Sequence, residues 1–179
     1  YTVRYTVYGI RYMVLEKEME LTTKTAEIAK LLLARGETVA VGESSAGGLV
    51  SASLLAVSGA SKYFMGGGVI YTHRARKRLT EIDFKDHPGV RSSSEPYASL
   101  LAKSMRTRLS ATWGLAETGA SGPTGNSYGD NAGHTCVAVD GPVCDVRTLE
   151  TASADREANM WAFTDEALDI FIECLKRAP

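Results

Sequence analysis

Between residues 25 and 35 the apolar positions Ala26, Ile28, Ala29, Leu31, Leu32 and Leu33 are too dense for strand alternation. With Thr22 or Thr23 placed to cap the segment and Gly36 to end it, the pattern predicts a helix. Residues 38–41, Thr-Val-Ala-Val, then form a short β-favouring run that stops at a Gly/Ser-rich turn, as a buried strand does. A second helix is expected over 46–56, and Gly66-Gly67-Gly68-Val69-Ile70-Tyr71 reads as a tight turn or bulge feeding a strand. Residues 73–81 predict a charged helix and 83–93, with Pro88-Gly89, a loop. Ser94-Glu95-Pro96 is a helix start, after which Tyr97, Leu101, Met105 and Leu109 share one face. Residues 111–117 predict a strand and 118–133, with five glycines and one proline, a long structured loop. Residues 135–139 and 143–149 read as strands joined through Asp140-Gly141-Pro142, and a last helix over 155–175 carries Trp161, Leu168, Phe171, Ile172 and Leu175 on one side.

Helix–strand alternation followed by a hairpin predicts an α/β fold, a single three-layer domain with a mixed, mostly parallel sheet and helices on both faces. Ligands in such sheets bind beyond the carboxyl ends of strands, where the loops after Val41, Tyr71 and Glu117 would gather. Residues 1–20 stand apart as an extension: YTVRYTV fits an edge strand, an appended segment or translation of an upstream region, and the functional domain is taken as 21–179.

Composition narrows the function. With 179 residues, a formal net charge of −1 and 44% hydrophobic residues, one ordinary globular domain is expected. Nothing in that charge balance favours nucleic acid, which demands an excess of basic residues. Cys136, Cys144 and Cys174 form no CxxC pair, so neither a disulfide framework nor a metal site is expected, and the natural setting is a reducing cytoplasm. No apolar run approaches the roughly 18 residues a membrane span needs.

Three segments carry chemistry. Gly42-Glu43-Ser44-Ser45-Ala46-Gly47-Gly48 lies at a strand-to-helix turn, where N–H groups and the helix dipole favour an anion or an oxyanion and a serine can be a nucleophile. Its plain alternative is a cap with closely packed glycines. Tyr71-Thr72-His73 leads into Arg74, Arg76, Lys77 and Arg78, which can hold a phosphate or simply form a solvated helix face. Thr118-Gly119-Ala120-Ser121-Gly122-Pro123-Thr124-Gly125 follows a strand with small residues and free donors, but lacks the Gly-Lys-Ser/Thr of a phosphate loop.

In the order of the chain, these segments resemble the CinA C-terminal (nicotinamide-nucleotide amidase) family. Glu43 to Gly48 resembles its ESCTGG, Gly67 to Thr72 its GGVVAYS region, Ser94-Glu95 its VSE, Thr118 to Pro123 its TGIAGP and Asp155-Arg156 its GDR. The resemblance implies a serine amidohydrolase, without cofactor or metal, that converts nicotinamide mononucleotide to nicotinic acid mononucleotide and ammonia. Ser44 is then the nucleophile, Tyr71 relays or orients the proton, and Thr118 joins them. Glu43, Ser45, Gly47, Gly48, Arg76, Gly119, Ser121 and Gly122 are the matching substrate-binding positions, with the oxyanion held by N–H groups of the 45–48 turn or of Thr118-Gly119. The resemblance also implies a homo-oligomer, while the family's separate nucleotide-pyrophosphatase domain does not fit in this length.

Some residues depart from the family pattern. Arg76 stands where the family has lysine, His73 where it has asparagine and Met160 where it often has arginine, and Asn131 to Cys136 replaces PVGTVW. Arginine holds an anion but does not serve as a base. The alternative is therefore a catalytically silent relative that binds a nucleotide or phosphorylated ligand, or acts through a protein partner.

Overall fold

The structure, a computed structural model, describes residues 10–179, with side chains from Thr23 onward. Helix α1 (Ile10–Arg35) leads into strand β1 (Val39–Glu43), helix α2 (Leu49–Leu55) and strand β2 (Phe64–Val69). One α-helical turn, α3 (His73–Ala75), continues as a π-type stretch over Arg76–Thr80. Helix α4 (Glu95–Arg108), strands β3 (Trp113–Ala120), β4 (His134–Asp140) and β5 (Asp145–Glu150), and helix α5 (Arg156–Arg177) complete the chain.

The five strands lie in the order β2-β1-β3-β4-β5, parallel between β2, β1 and β3 and antiparallel through β4 and β5. Helices cover both faces, so the three-layer mixed α/β architecture follows the predicted alternation. Successive residues of a strand face opposite sides. Val39 and Val41 of β1 join Leu115, Val137 and Val139 beneath Ile28, Leu32, Leu54, Phe163 and Phe171 of α1, α2 and α5. On the opposite face Ala40, Ala116 and Ala138 meet Tyr97, Leu101 and Met105 of α4. That second face is built from small residues because α4 lies close: a Cβ on Gly114 would fall 2.0 Å from the carbonyl oxygen of Ala102.

Several boundaries differ from the sequence expectation. Helix α1 begins at Ile10, so Thr22 and Thr23 are not caps and the second half of the 1–20 extension is helical; the YTVRYTV segment lies outside the described residues. The 66–71 strand starts earlier, at Phe64, and the three glycines sit within it. Their smallness admits α2: a Cβ on Gly67 would meet the Ser51 hydroxyl at 2.4 Å. Thr118, Gly119 and Ala120, expected to open a loop, extend β3 because β4 pairs with them through Cys136, Thr135 and His134. The Ser94 cap is formed, its hydroxyl accepting the Tyr97 N–H, and Asp155 caps α5 by accepting from Ala158.

Candidate active site

Strand β1 has parallel neighbours on both sides, β2 reached by one crossover and β3 by another. The carboxyl ends of these three strands open into one cavity of about 370 Å³. Its walls are Ser44 beyond β1; Ile70, Tyr71, Thr72, His73 and Arg76 beyond β2; Thr118 and Gly119 at the end of β3; and Ser92, Ser93, Tyr97, Asn126 and Tyr128 from α4 and the flanking loops. The volume lies within the range of small-ligand pockets.

Two buried carboxylates organise the turn that carries Ser44. Glu43, fully buried, accepts the N–H groups of Gly48 (2.8 Å), Val50 (3.1 Å) and Ser51 (3.0 Å) and the Ser51 hydroxyl (2.6 Å), capping α2. Glu117, equally buried, accepts the N–H groups of Ser44 and Ala46 at 2.9 Å each, the Thr135 hydroxyl at 2.9 Å and the Ser45 hydroxyl. Burial pushes the Glu117 carboxyl above its ordinary range, and the donors from Ser45, Ala46, Ser44 and Thr135 pull the other way. Since Gly47 N–H donates to the Ser44 carbonyl (3.2 Å), four of the five N–H groups from Ser44 to Gly48 already donate inside the protein. The expectation that this turn cradles an anion is corrected accordingly: its donors are taken by the protein's own carboxylates.

Ser44 itself is half-buried and faces the cavity. Thr118 is buried, and its hydroxyl accepts the Ser93 N–H at 3.3 Å. Ser93 takes the left-handed backbone region (φ 53) that side chains seldom adopt, held there by His134 and Arg91, which both donate to its carbonyl. Tyr71 is 60% exposed at the rim, and its hydroxyl oxygen accepts from Arg156 (3.2 Å), which also donates to the Gly122 carbonyl (2.6 Å). No hydrogen bond joins Tyr71 to Ser44 among the described residues.

Of the basic cluster, Arg74, Lys77 and Arg78 are exposed, whereas Arg76 is 9% exposed and lines the cavity. Its guanidinium lies 3.4 Å from the centroid of the Phe84 ring, and its buried Nε has no hydrogen-bond partner. No carboxylate pairs with it among the described residues. Such a cation, desolvated yet facing a cavity, suits an anion. Beside it the Tyr97 hydroxyl is pushed up to about 12, chiefly by burial, with Arg76 pulling it down and Glu117 raising it, so it stays protonated.

Of the residues singled out in the sequence, Ser44, Tyr71, Arg76, Thr118 and Gly119 meet at the cavity. Thr72 and His73 line it with them, and Glu43, Ser45, Gly47, Gly48, Ser121 and Gly122 do not line it. Glu43 and Ser45 serve the α2 turn as described, and Gly47 and Gly48 give that turn its left-handed backbone at φ 70 and 104. Ser121 is buried with its carbonyl bonded to Asn159, and Gly122 takes φ 107 where a Cβ would fall 2.9 Å from the Ala154 carbonyl. Sequence reasoning missed Glu117, Ser92, Ser93, Tyr97, Asn126 and Tyr128. Glu117 had a signal, a carboxylate directly after the apolar run Leu115-Ala116 at the end of a predicted strand. Loops supply Ser92, Ser93, Asn126 and Tyr128, and no periodicity marks them.

Among the described residues no cluster of three His, Cys, Asp or Glu could hold a metal, and no helix is long and apolar enough to cross a membrane.

Comparison with known proteins bears on the same segments. A sequence model of the CinA C-terminal domain matches residues 21–175. A CinA-like protein of Gloeobacter violaceus is 36% identical over 154 residues, covering 83% of this chain and 35% of the relative. One from Acaryochloris marina is 37% identical over 120 residues, covering 67% and 29%. The chain thus spans about a third of the length of these relatives. Among solved structures, the competence damage-inducible protein A of Klebsiella pneumoniae superposes with a TM-score of 0.82 at 23% identity, over 88% of this chain and 98% of that one. The competence/damage inducible protein CihA of Agrobacterium tumefaciens gives 0.81 at 23% identity, over 88% and 96%. These two share the fold.

Proposed function

The chain belongs to the CinA C-terminal domain family, and from that premise we propose that it is a serine amidohydrolase of nicotinamide mononucleotide, a carboxamide carried on a phosphorylated nucleoside. The observation that carries this reading is the Ser44 side chain placed at the mouth of β1, in one cavity with Thr118, Gly119 and the buried Arg76. Ser44 Oγ attacks the carboxamide carbon, its proton passes to the leaving nitrogen, and ammonia departs from the tetrahedral intermediate. Water then cleaves the acyl–serine ester, releasing nicotinic acid mononucleotide and restoring the hydroxyl. Because the 44–48 turn has spent nearly all its donors, the developing oxyanion is assigned to the Thr118-Gly119 end of β3 and to the Ser45 N–H. Tyr71, its hydroxyl anchored by Arg156, closes the rim and relays the proton. The phosphate is assigned to Arg76, whose buried Nε has no partner and whose charge no carboxylate answers among the described residues. The working state is a homo-oligomer in the cytoplasm.

The buried, unpaired Arg76 also favours a second reading, a relative that binds the phosphorylated nucleotide without hydrolysing it. An arginine stays protonated, so it secures an anion while leaving Ser44 without a basic partner. Incubation of the purified protein with nicotinamide mononucleotide separates the two. The amidase reading expects ammonia and the nicotinic acid nucleotide in equal amounts, with both abolished by Ser44→Ala. Binding without product by a folded protein favours the second reading.

A further inference from the structure

Glu117 is a fully buried carboxylate that is not among the residues lining the cavity and faces no cation within ion-pair distance among the described residues. Burying such a group costs several kcal/mol unless its oxygens are all engaged. Here they are. Oε2 takes the N–H groups of Ser44 and Ala46 at 2.9 Å each, and Oε1 takes the Ser45 hydroxyl and, from β4, the Thr135 hydroxyl at 2.9 Å. Three of the four donors belong to Ser44 and its next two residues. The carboxylate also sits on β3, whose following residues, Thr118 and Gly119, form the opposite wall of the cavity.

We propose that Glu117 is the positioning residue of the candidate nucleophile: by gripping the backbone on both sides of Ser45 it fixes the Ser44 side chain against the Thr118-Gly119 wall. The proposal rests on the reading of Ser44 as the nucleophile. Glu43 and Glu117 divide the turn between them. Glu43 holds the N–H groups of Gly48, Val50 and Ser51 on the helix side, and Glu117 holds those of Ser44 and Ala46 on the strand side. A methionine at position 117 keeps nearly the same length and volume but offers the Ser44 and Ala46 N–H groups no oxygen acceptor, so the grip on Ser44 is lost without emptying the core. A loose nucleophile is slow rather than blind to its ligand, because a misplacement of about 1 Å costs turnover far more than binding.

The test is Glu117→Met, read in two ways. Amide hydrogen exchange at Ser44 and Ala46 is expected to accelerate by about tenfold or more, the size of a lost hydrogen bond to a charged acceptor, while Gly48, Val50 and Ser51 keep their protection. With nicotinamide mononucleotide, kcat is expected to fall by about tenfold or more with KM within about twofold. Unchanged exchange at Ser44 and Ala46, exchange rising equally at all five amides, or an unchanged kcat overturns the proposal. If Glu117→Met does not fold, Glu117→Asp keeps the carboxylate but draws it back from the Ser44 and Ala46 N–H groups by one methylene. It is then expected to speed exchange at Ser44 and Ala46 alone, and no change there overturns the proposal. If the wild-type protein releases no ammonia, the amidase reading fails by itself, and the exchange pattern still decides whether Glu117 holds this turn.

Discussion

Arg76 and Lys77 are adjacent in sequence but meet different solvents, and that difference decides what each can do. Lys77 pairs with Asp83 (3.1 Å) in water, where such a contact contributes little. Arg76 is buried against Phe84 with its Nε unpartnered, a charge that folding had to desolvate without a counter-ion among the described residues. A group of that kind is held at a cost to the free protein and repays it on binding an anion. Arg76→Met keeps the packing on Phe84 and deletes the charge. The free protein is therefore expected to gain about 1 kcal/mol or more in urea unfolding, while calorimetry with nicotinic acid mononucleotide shows affinity falling by at least tenfold. Loss of stability together with unaltered affinity would sink the assignment of Arg76 to the phosphate.

At the scale of elements, the glycines of the central sheet decide how closely α4 approaches. Gly114 faces the α4 backbone, and a methyl group there would stand 2.0 Å from the Ala102 carbonyl oxygen, a contact that no side-chain rotation relieves. Gly114→Ala is thus expected to destabilise by at least about 2 kcal/mol, whereas Gly36→Ala, with nothing within 4 Å, loses only what its φ of 63 imposes. Thermal unfolding of the two variants checks the ordering. The same elements show what a sequence can disclose. Ser94, Asp155 and the Val39-Ala40-Val41 run act through neighbours within a few residues, so the starts of α4 and α5 and the central strand were legible. Thr118 and Gly119 were read as loop because their strand character comes from pairing with Thr135 and Cys136, a contact no local pattern encodes. Of the site, Ser44, Tyr71, Arg76, Thr118 and Gly119 were found through their motifs. Glu43 was grouped with them by adjacency, yet β1 turns it away from the cavity to cap α2, and its neighbour Glu117 across the sheet was passed over for want of a motif.

For the molecule as a whole, two carboxylates titrate in opposite senses and so shape stability against pH. Asp130 is held below its ordinary value of 3.8 first by the Arg91 guanidinium, with burial opposing and Asn126 adding a further donor. The pair joins the 83–93 and 121–133 loops, which bring Ser92, Ser93, Asn126 and Tyr128 to the cavity. Near pH 3.8 the unfolded chain binds more protons at Asp130 than the native one does. Its stabilisation is therefore complete above that value and is lost as pH falls through the depressed native value. Glu117 behaves conversely. Burial holds its carboxyl above the ordinary 4.5, so the native state keeps a proton that the unfolded state has released, and stability declines as pH rises from 4.5 through the raised value. Urea unfolding free energies measured from about pH 2.5 to pH 8 should therefore climb on the acid side and fall on the other. Arg91→Met is expected to flatten the climb below pH 3.8, and Glu117→Gln to flatten the decline above pH 4.5. Slopes rather than offsets carry the comparison, because each variant also loses hydrogen bonds that shift its curve equally at every pH. An acid limb as steep in Arg91→Met as in the wild type would show that the loops closing the cavity are held by something other than this ion pair.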